Sequence, residues 1–451
     1  MNIHQEYIFT GELLKADDQD KQPVNITNGK ILFCSNGEVL IQTNQELYND
    51  IQAKIMFESS PLYQSPVGPI IRPAYEGNYK LQGEAKKDKT WNIKATVSSD
   101  TGIKPDIWLQ EVHLEREEVL TSEEHSFRTV YGLIAFEPFC NIDMPIYVDG
   151  STLTIEKDNN DSKKVLEANV CSKLSIFSHN LSIEAQEKLA YFLICMISFA
   201  FGRKIYEAYQ RDEVKSGDIS TIKEYWRGSR SRAVAKGFVI IQEPHLKLFL
   251  KQLIDKEAHT ENYRNSLFLS LSWYLETFES DILATNFVLL CTAIEALNEE
   301  LKKIQQTGTN RLLSKAKYRE VRKAMLQCID QHSPDIDEDK TLKKYEMFKT
   351  KVKSVFSSGS LNTISSLSAS LQNMLEYFKV RYDDLFPKFD FIKIRNNVVH
   401  RGTHDFGEMF YVYLKLENLY IRLILCVLEY DGNYMEHDGT GLICRTVPFK
   451  N

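Results

Sequence analysis

Three polar residues in the last quarter of the chain, Arg395, Asn396 and His400, have types and spacing that could support RNA cleavage. Transesterification at phosphorus needs a base that takes the 2′-hydroxyl proton and an acid that protonates the leaving 5′ oxygen. Histidine can do either near neutral pH. A guanidinium can stabilise the negative charge of the phosphorane, and an asparagine can orient the imidazole or a phosphate oxygen. Such a scheme requires no metal ion and no other cofactor.

One short helix is expected to carry these residues. Asp390 is a suitable N-cap, and Gly402 is suitable as the residue just past the last turn. Because Asn396 and His400 are four positions apart, they share one face of this helix, and Arg395 lies to the side. The residues predicted to face the core are Phe391, Ile394 and Val398. The same spacing also fits a simpler interpretation, in which a surface arginine and a capping histidine end the helix.

Two regions of different periodicity must position this helix. Up to about residue 180, short segments such as 91–97 alternate apolar and polar residues, and turn dipeptides such as Asp149-Gly150 separate them. From Ser182, a suitable helix N-cap, the apolar residues recur at helical spacing instead. The fold class is therefore predicted to be α+β and multidomain. An N-terminal antiparallel β-sandwich or barrel-like domain would precede an all-α helical bundle.

Four parts are expected along the chain. Residues 1–180 form a β-rich sensor or regulatory domain, and 181–261 form a helical connector with a basic loop. Residues 262–431 form the helical bundle that carries the candidate site, and 432–451 form a C-terminal tail. The clearest helical stripe in the bundle is Leu283, Phe287, Leu290, Ile294 and Leu297.

Composition and charge narrow the choice of compartment and partner. Residues 1–180 contain 17 Lys and Arg against 27 Asp and Glu, whereas the remaining 271 residues contain 38 against 35. A polyanion such as RNA is therefore better accommodated by the second part of the chain. The longest apolar run, Leu189–Phe201, is too short to span a bilayer, and no export signal is visible. We expect a cytoplasmic protein without a membrane anchor.

The eight cysteines are scattered and include no Cys-x-x-Cys pair. Several of them, such as Cys195, Cys291 and Cys426, lie in apolar helical segments. This placement predicts reduced, buried thiols rather than a disulfide framework or a zinc site. Apolar surroundings raise a thiol pKa, so a cysteine-based hydrolase is a poor interpretation.

A basic stretch that begins at Trp226 is a candidate RNA-binding loop. Its cations are Arg227, Arg230, Arg232 and Lys236. Such a loop could grip phosphates while Trp226 stacks on a base. The alternatives are an exposed loop with ordinary charges, or arginines that pair with the acidic β-rich part.

The segment Arg395-Asn396-Asn397-Val398-Val399-His400 resembles the R-N-x-x-x-H motif of the HEPN superfamily. These are the helical domains of many prokaryotic toxins and defence nucleases. An apolar helix over 287–297, an insertion and then the motif helix are similar to the ApeA-like branch, whose members carry a β-rich N-terminal domain. The resemblance covers 262–431 best, and over the β-rich part it rests on architecture.

The resemblance implies a metal-independent endoribonuclease that leaves 2′,3′-cyclic phosphate and 5′-hydroxyl ends. The site would form where two copies meet, which implies a homodimer or a higher oligomer. His400 would be the acid or base, Arg395 the phosphate stabiliser and Asn396 a polar helper, with Glu295 orienting the motif. His404 is near enough to assist, although a surface turn also explains it. Transfer RNA is the first candidate substrate, anti-phage abortive infection the implied role, and a phage protein the possible trigger.

A second function from another class remains open. The HEPN-like bundle could be a non-catalytic binding or dimerisation module, and the β-rich part could recognise the partner. Such a protein would bind RNA or a protein without shortening the RNA. Replacing His400 would then have no effect.

Overall fold

The structure is a computed structural model, and its contacts group the chain into two compact units. The first consists of Met1–Glu257 with Gly432–Met435, and the second of Ala258–Asp431 with Glu436–Asn451. An antiparallel sheet followed by a helical region confirms the predicted α+β class. The residues described are 3–15, 24–34, 38–42, 64–65, 68–69, 79–97, 106–136, 138, 141–146, 151–157, 170–226, 238–255, 264–304, 314–331, 346–347, 349–354, 367–402 and 405–447.

The first unit is built on one long, curled antiparallel sheet. Its strands are β1 (Ile3–Lys15), β2 (Val24–Cys34), β3 (Val39–Gln42), β6 (Tyr79–Lys86), β7 (Thr90–Val97), β8 (Asp106–Ile134), β9 (Ile142–Ile146), β10 (Ser151–Lys157), β11 (Val170–Ser178) and β12 (Tyr206–Trp226). They pair in the order β3-β2-β1-β6-β7-β8-β11-β10-β9, and β12 also pairs with β8. Because β3 pairs with the start of β8 as well as with β2, six of these strands close into a ring. Two short strands, β4 (Gln64–Ser65) and β5 (Gly68–Pro69), form a separate two-stranded sheet.

The predicted alternation along these strands is observed. In β7, Trp91, Ile93 and Ala95 are buried while the residues between them are exposed. Inside the ring, the side chain of Phe9 lies beside Gly11 and Gly83, which are paired across β1 and β6. A Cβ atom at either glycine would collide with the backbone of the opposite strand, so this close approach requires glycine.

The long strand β12 corrects the prediction of a helical connector over 181–261. Residues 206–226 form a strand rather than a helix, because alternate side chains near its end, including Ile222 and Trp226, are buried. Helices do flank this strand. They are α1 (Ile183–Ala200), whose N-cap Ser182 accepts a bond from the Ala185 amide at 3.3 Å as predicted, and α2 (Glu243–Asp255).

The middle of β8 has a single strand partner within the described part of the chain. The pairing of β7 with β8 ends at Glu115, and the pairing of β11 with β8 begins at Phe127. Of the described strands, β12 alone follows β8 across the interval, with a bulge between Gly217 and Ile219. This interval, residues 116–126 of β8 with the facing residues of β12, is called the two-stranded ribbon below.

The second unit is a set of packed helices followed by part of a terminal hairpin. The predicted stripe is buried at Phe287, Leu290, Ile294 and Leu297. None of the described helices is long and apolar enough to cross a membrane. The helices are α3 (Arg264–Glu276), α4 (Leu283–Ile304), α5 (Lys315–Gln331), α6 (Leu367–Tyr377), α7 (Phe391–Arg401) and α8 (Phe406–Val427), and the hairpin strands are β13 (Asn433–His437) and β14 (Leu442–Thr446).

A buried guanidinium ties α8 to its surroundings. Arg422 donates to both carboxylate oxygens of Asp384, at 2.8 and 3.0 Å, and to the Arg381 carbonyl at 2.9 Å. It also donates twice to Glu436, each time at 2.9 Å, and Arg445 adds a third bond to that carboxylate. The side chains of Arg422 and Glu436 are nearly inaccessible to solvent.

Replacing Arg422 with Met should destabilise the second unit by about 3–5 kcal/mol, because it leaves the buried Glu436 carboxylate short of partners. Urea denaturation followed by circular dichroism measures the effect. Arg381→Met is the matched control, since that side chain is exposed and its ion pair is 3.9 Å long. Equal stability of the two variants would contradict the role given to this network.

A second buried carboxyl group should make stability depend on pH. The hydroxyl of Tyr274 donates to Glu417 at 3.3 Å, and the His437 imidazole lies 4.0 Å from the other carboxyl oxygen. Burial raises the pKa of Glu417 to about 7, against an ordinary value of 4.5. Because the folded pKa is the higher one, the contribution of Glu417 to stability is complete below pH 4.5 and is lost as the pH rises toward 7.

Glu417→Gln should therefore remove a pH-dependent penalty. Relative to the wild type, the variant should gain stability between pH 5 and pH 8, by up to about 3 kcal/mol. Thermal unfolding across this range measures the difference. Glu346→Gln, a change at an exposed position, is the control and should follow the wild-type pH profile. If the stability of Glu417→Gln changed with pH in parallel with that of the wild type, the pKa of Glu417 would not be raised in the folded chain.

Candidate active site

The motif helix α7 has the predicted C-terminal boundary. Gly402 adopts φ 62°, and its N–H bonds to carbonyls of the last turn, as expected for a left-handed residue after a helix. Asp405 then caps α8 by accepting the Glu408 amide at 2.8 Å. At the other end Asp390 directly precedes the helix, but its side chain makes no capping bond, so the predicted N-cap bond is wrong.

The faces of α7 agree with the helical spacing. Phe391 is buried, and Ile394 and Val398 are partly buried. Asn396 and His400 are exposed on the other side of the helix. A reacting group could therefore approach the imidazole without disturbing the packing of α7.

Arg395 is held by a residue that is a hundred positions away. Its guanidinium donates to Glu295 of α4 at 3.2 Å, and a second nitrogen donates to the amide oxygen of Asn396 at 3.2 Å. The two charged side chains retain 25% and 28% of their surface. The structure thus brings together Arg395, Asn396 and Glu295, all of which the sequence singled out.

This pairing leaves Arg395 able to act on a substrate. A guanidinium has five N–H donors in a planar fork, and the two contacts above engage two of its nitrogens. The remaining donors suit the oxygens of a phosphate. The carboxylate of Glu295 holds the fork in place without removing it from solvent.

Thiol chemistry is disfavoured beside the motif. Cys291 lies one turn before Glu295 on α4 and is buried, which raises the pKa of its thiol above the ordinary range. Burial likewise raises the pKa of Cys195 to about 12 and that of Cys426 still further. These cysteines are inert core residues, as predicted. Among the residues that the structure describes, no three His, Cys, Asp or Glu side chains are grouped as metal ligands.

Four exposed apolar side chains lie close to the motif in the chain, which the sequence pattern does not indicate. They are Val399 on α7 and Phe406, Phe410 and Tyr411 on the first turns of α8, and each keeps between 44% and 65% of its surface. The spacing of Phe406 and Phe410 is helical, so the pattern alone predicts core residues. Burial of α8 becomes continuous only from Leu416 onward.

The predicted base-stacking role of Trp226 is wrong. Its side chain is 1% exposed and stacks on Tyr209 with ring centroids 4.7 Å apart. The ring centroid of Phe33 lies 4.8 Å from that of the indole. The indole therefore belongs to the core of the curled sheet. The remaining predicted residues, Arg227, Arg230, Arg232, Lys236 and His404, lie outside the described residues.

Glu295→Gln should change the free energy of unfolding by less than about 1 kcal/mol, because the ion pair with Arg395 is part-exposed. The free energy of urea unfolding, compared with that of the wild type, measures this. Glu320→Gln, which removes an exposed ion pair with Lys317 on α5, is the control and should behave alike. A much larger loss for Glu295→Gln would make the Arg395 pair part of the structural core.

Comparison with known proteins gives no match. No protein-family model, no curated protein and no solved structure matches this chain. The chemistry of the site must therefore be inferred from its own residues.

Proposed function

We propose that this protein is a metal-independent endoribonuclease of the HEPN type. It cleaves RNA, with transfer RNA as the first candidate, and leaves 2′,3′-cyclic phosphate and 5′-hydroxyl ends. The observation that carries the proposal is the placement of an exposed His400 on the helix where Glu295 holds Arg395. General acid–base chemistry and charge stabilisation then come from one helix.

His400 is the proton-transfer residue in this scheme. It lies in the last turn of α7, on the exposed side of that helix. An imidazolium can protonate the leaving 5′ oxygen, and an imidazole can take the 2′-hydroxyl proton. Asn396, on the same face, orients the imidazole or a phosphate oxygen.

Arg395 stabilises the phosphorane, and Glu295 is a positioning residue. As the attacking oxygen adds, negative charge grows on the non-bridging oxygens, which the planar fork of a guanidinium can bind. Glu295 acts only through Arg395, because its carboxylate fixes the direction of the fork. Holding the fork in advance reduces the reorganisation needed during the reaction.

A homodimer would complete the site. Arg395 and His400 are five positions apart, so at 100° per residue they point in directions about 140° apart on one helix. A two-fold contact between copies can bring the imidazole of one copy toward the guanidinium of the other. Exposed apolar side chains that lie close to the motif in the chain suit such a contact; they are Val399, Phe406, Phe410 and Tyr411.

We further propose that the activity serves anti-phage defence by abortive infection in the cytoplasm. The first unit, with its curled sheet, would sense a phage protein or restrain the nuclease. The order of a β-rich part before a helical part supports this assignment. A nuclease that attacks cellular RNA must be kept inactive until it is needed.

The decisive experiment compares purified wild type with His400→Ala and Arg395→Ala on total transfer RNA in the presence of EDTA. Each variant should cleave at least about 100-fold more slowly, because it loses a proton-transfer or charge-stabilising group. Mass spectrometry of the fragments should show 2′,3′-cyclic phosphate ends. Sequencing of RNA ends from expressing cells would then identify the cut sites.

His113→Ala is the matched control, because this histidine is exposed on β8 in the first unit and should leave cleavage unchanged. Loss of wild-type activity in EDTA, with recovery on adding a divalent ion, would contradict the metal-independent scheme. RNA binding without any change in RNA length, together with a silent His400→Ala, would instead support a non-catalytic binding module.

A further inference from the structure

A polar cleft on the curled sheet contains a buried carboxylate whose contacts with the described residues are long. The cleft has a volume of about 260 Å³, and its walls come from β1, β8, β11 and β12. Glu224 of β12 lines it and is 3% exposed. Burying a carboxylate is costly unless it is paired and hydrogen-bonded, so its surroundings matter.

The partners of Glu224 in the described residues are distant. The indole N–H of Trp226 is 3.5 Å from one carboxylate oxygen, and the guanidinium of Arg211 is 3.6 Å from the other. Ordinary N–H···O bonds span about 2.7–3.2 Å, so both contacts are long. Burial accordingly raises the pKa of Glu224, and Arg211 lowers it less. A ligand with N–H donors would meet an acceptor to which the described residues make only long contacts.

Cations surround the same cleft. Arg128, Lys173 and Arg211 line it, against the two acidic residues Glu213 and Glu224. Arg128 is exposed, and it stands opposite Glu213 in the pairing of β8 with β12. The cleft therefore offers an acceptor at Glu224 and positive charge around it.

A second cleft extends the first along the same face of the sheet. It has a volume of about 320 Å³, and Arg128 and Glu213 line both clefts. Lys215 adds another cation there and Glu156 another carboxylate, and hydroxyl groups come from Thr152, Thr154, Ser126 and Ser175. Cations together with hydroxyl donors are the usual ligands of a phosphate group.

We propose that the two clefts form one binding site for a guanine nucleotide. The base lies against Glu224 and Arg211, and the phosphate lies near Arg128 and Lys215. Guanine presents adjacent N1–H and N2 amino donors, which a carboxylate accepts as a bidentate pair, and its O6 accepts from a guanidinium. Adenine presents an acceptor at N1, which a carboxylate repels. The site thus combines base selection at one end with charge attraction at the other.

This proposal is independent of the ribonuclease proposal. All of the residues named for it belong to the first unit, whereas Arg395 and His400 belong to the second. Nucleotide binding is also measured without RNA, so either proposal can fail while the other stands.

Isothermal titration of the full chain with guanosine monophosphate and with adenosine monophosphate tests the site. The guanine nucleotide should bind, and the adenine nucleotide should bind at least tenfold more weakly, because a charged hydrogen-bonding pair is lost. Glu224→Gln should remove that preference while circular dichroism shows a folded chain. Equal binding of the two nucleotides, no binding at millimolar concentration, or an unchanged preference in Glu224→Gln would overturn the proposal.

Arg128→Gln provides a second variant that should fold, because the side chain is exposed. This variant should weaken the binding of both nucleotides by a similar factor. It should leave the binding of guanosine, which has no phosphate, unchanged. Inorganic phosphate alone should compete weakly with guanosine monophosphate. If Arg128→Gln bound both nucleotides as tightly as the wild type, the phosphate end of the site would be wrongly placed and the proposal would fail.

Discussion

The guanidinium of Arg422 holds together the chain on both sides of the motif helix. Asp384, which it binds, lies in the segment just before α7, and Arg422 itself lies in α8, which follows α7. Glu436 of β13 closes the network from beyond α8. Since α7 is only eleven residues long, it has little stability of its own. Its position depends on flanking segments that this buried charge fixes.

The parts of the fold that local patterns encode could be predicted from the sequence. Gly402 ends α7 and Asp405 caps α8 because each function needs only a few neighbouring residues. The burial of Trp226 could not be predicted, because it depends on packing against Phe33 of β2 and on a bend that brings Tyr209, near the other end of β12, onto the indole. The arginines that follow Trp226 made it look like part of an exposed loop, whereas pairing with β8 places it in the core.

For the candidate site, too, features within one helix could be predicted and contacts between helices could not. Helical spacing alone indicates that Asn396 and His400 share an exposed face, and the structure agrees. The bond between Arg395 and Glu295 joins two helices, and spacing within one helix cannot predict it. The exposure of Phe406 and Phe410 was missed for the opposite reason, because apolar residues at helical spacing are normally assigned to a core.

The two-stranded ribbon has a mechanical consequence for the first unit. Two paired strands twist and bend more easily than a wider sheet, because no third strand resists the rotation. Within the described residues, the ribbon links the closed ring of strands to the extension formed by β9, β10 and β11. Tyr209, before the ribbon in β12, stacks on Trp226, after it, so the ribbon bends the long β8–β12 pair back on itself and lets the ring and the extension share one core. The bulge beside Gly217 makes room for this bend.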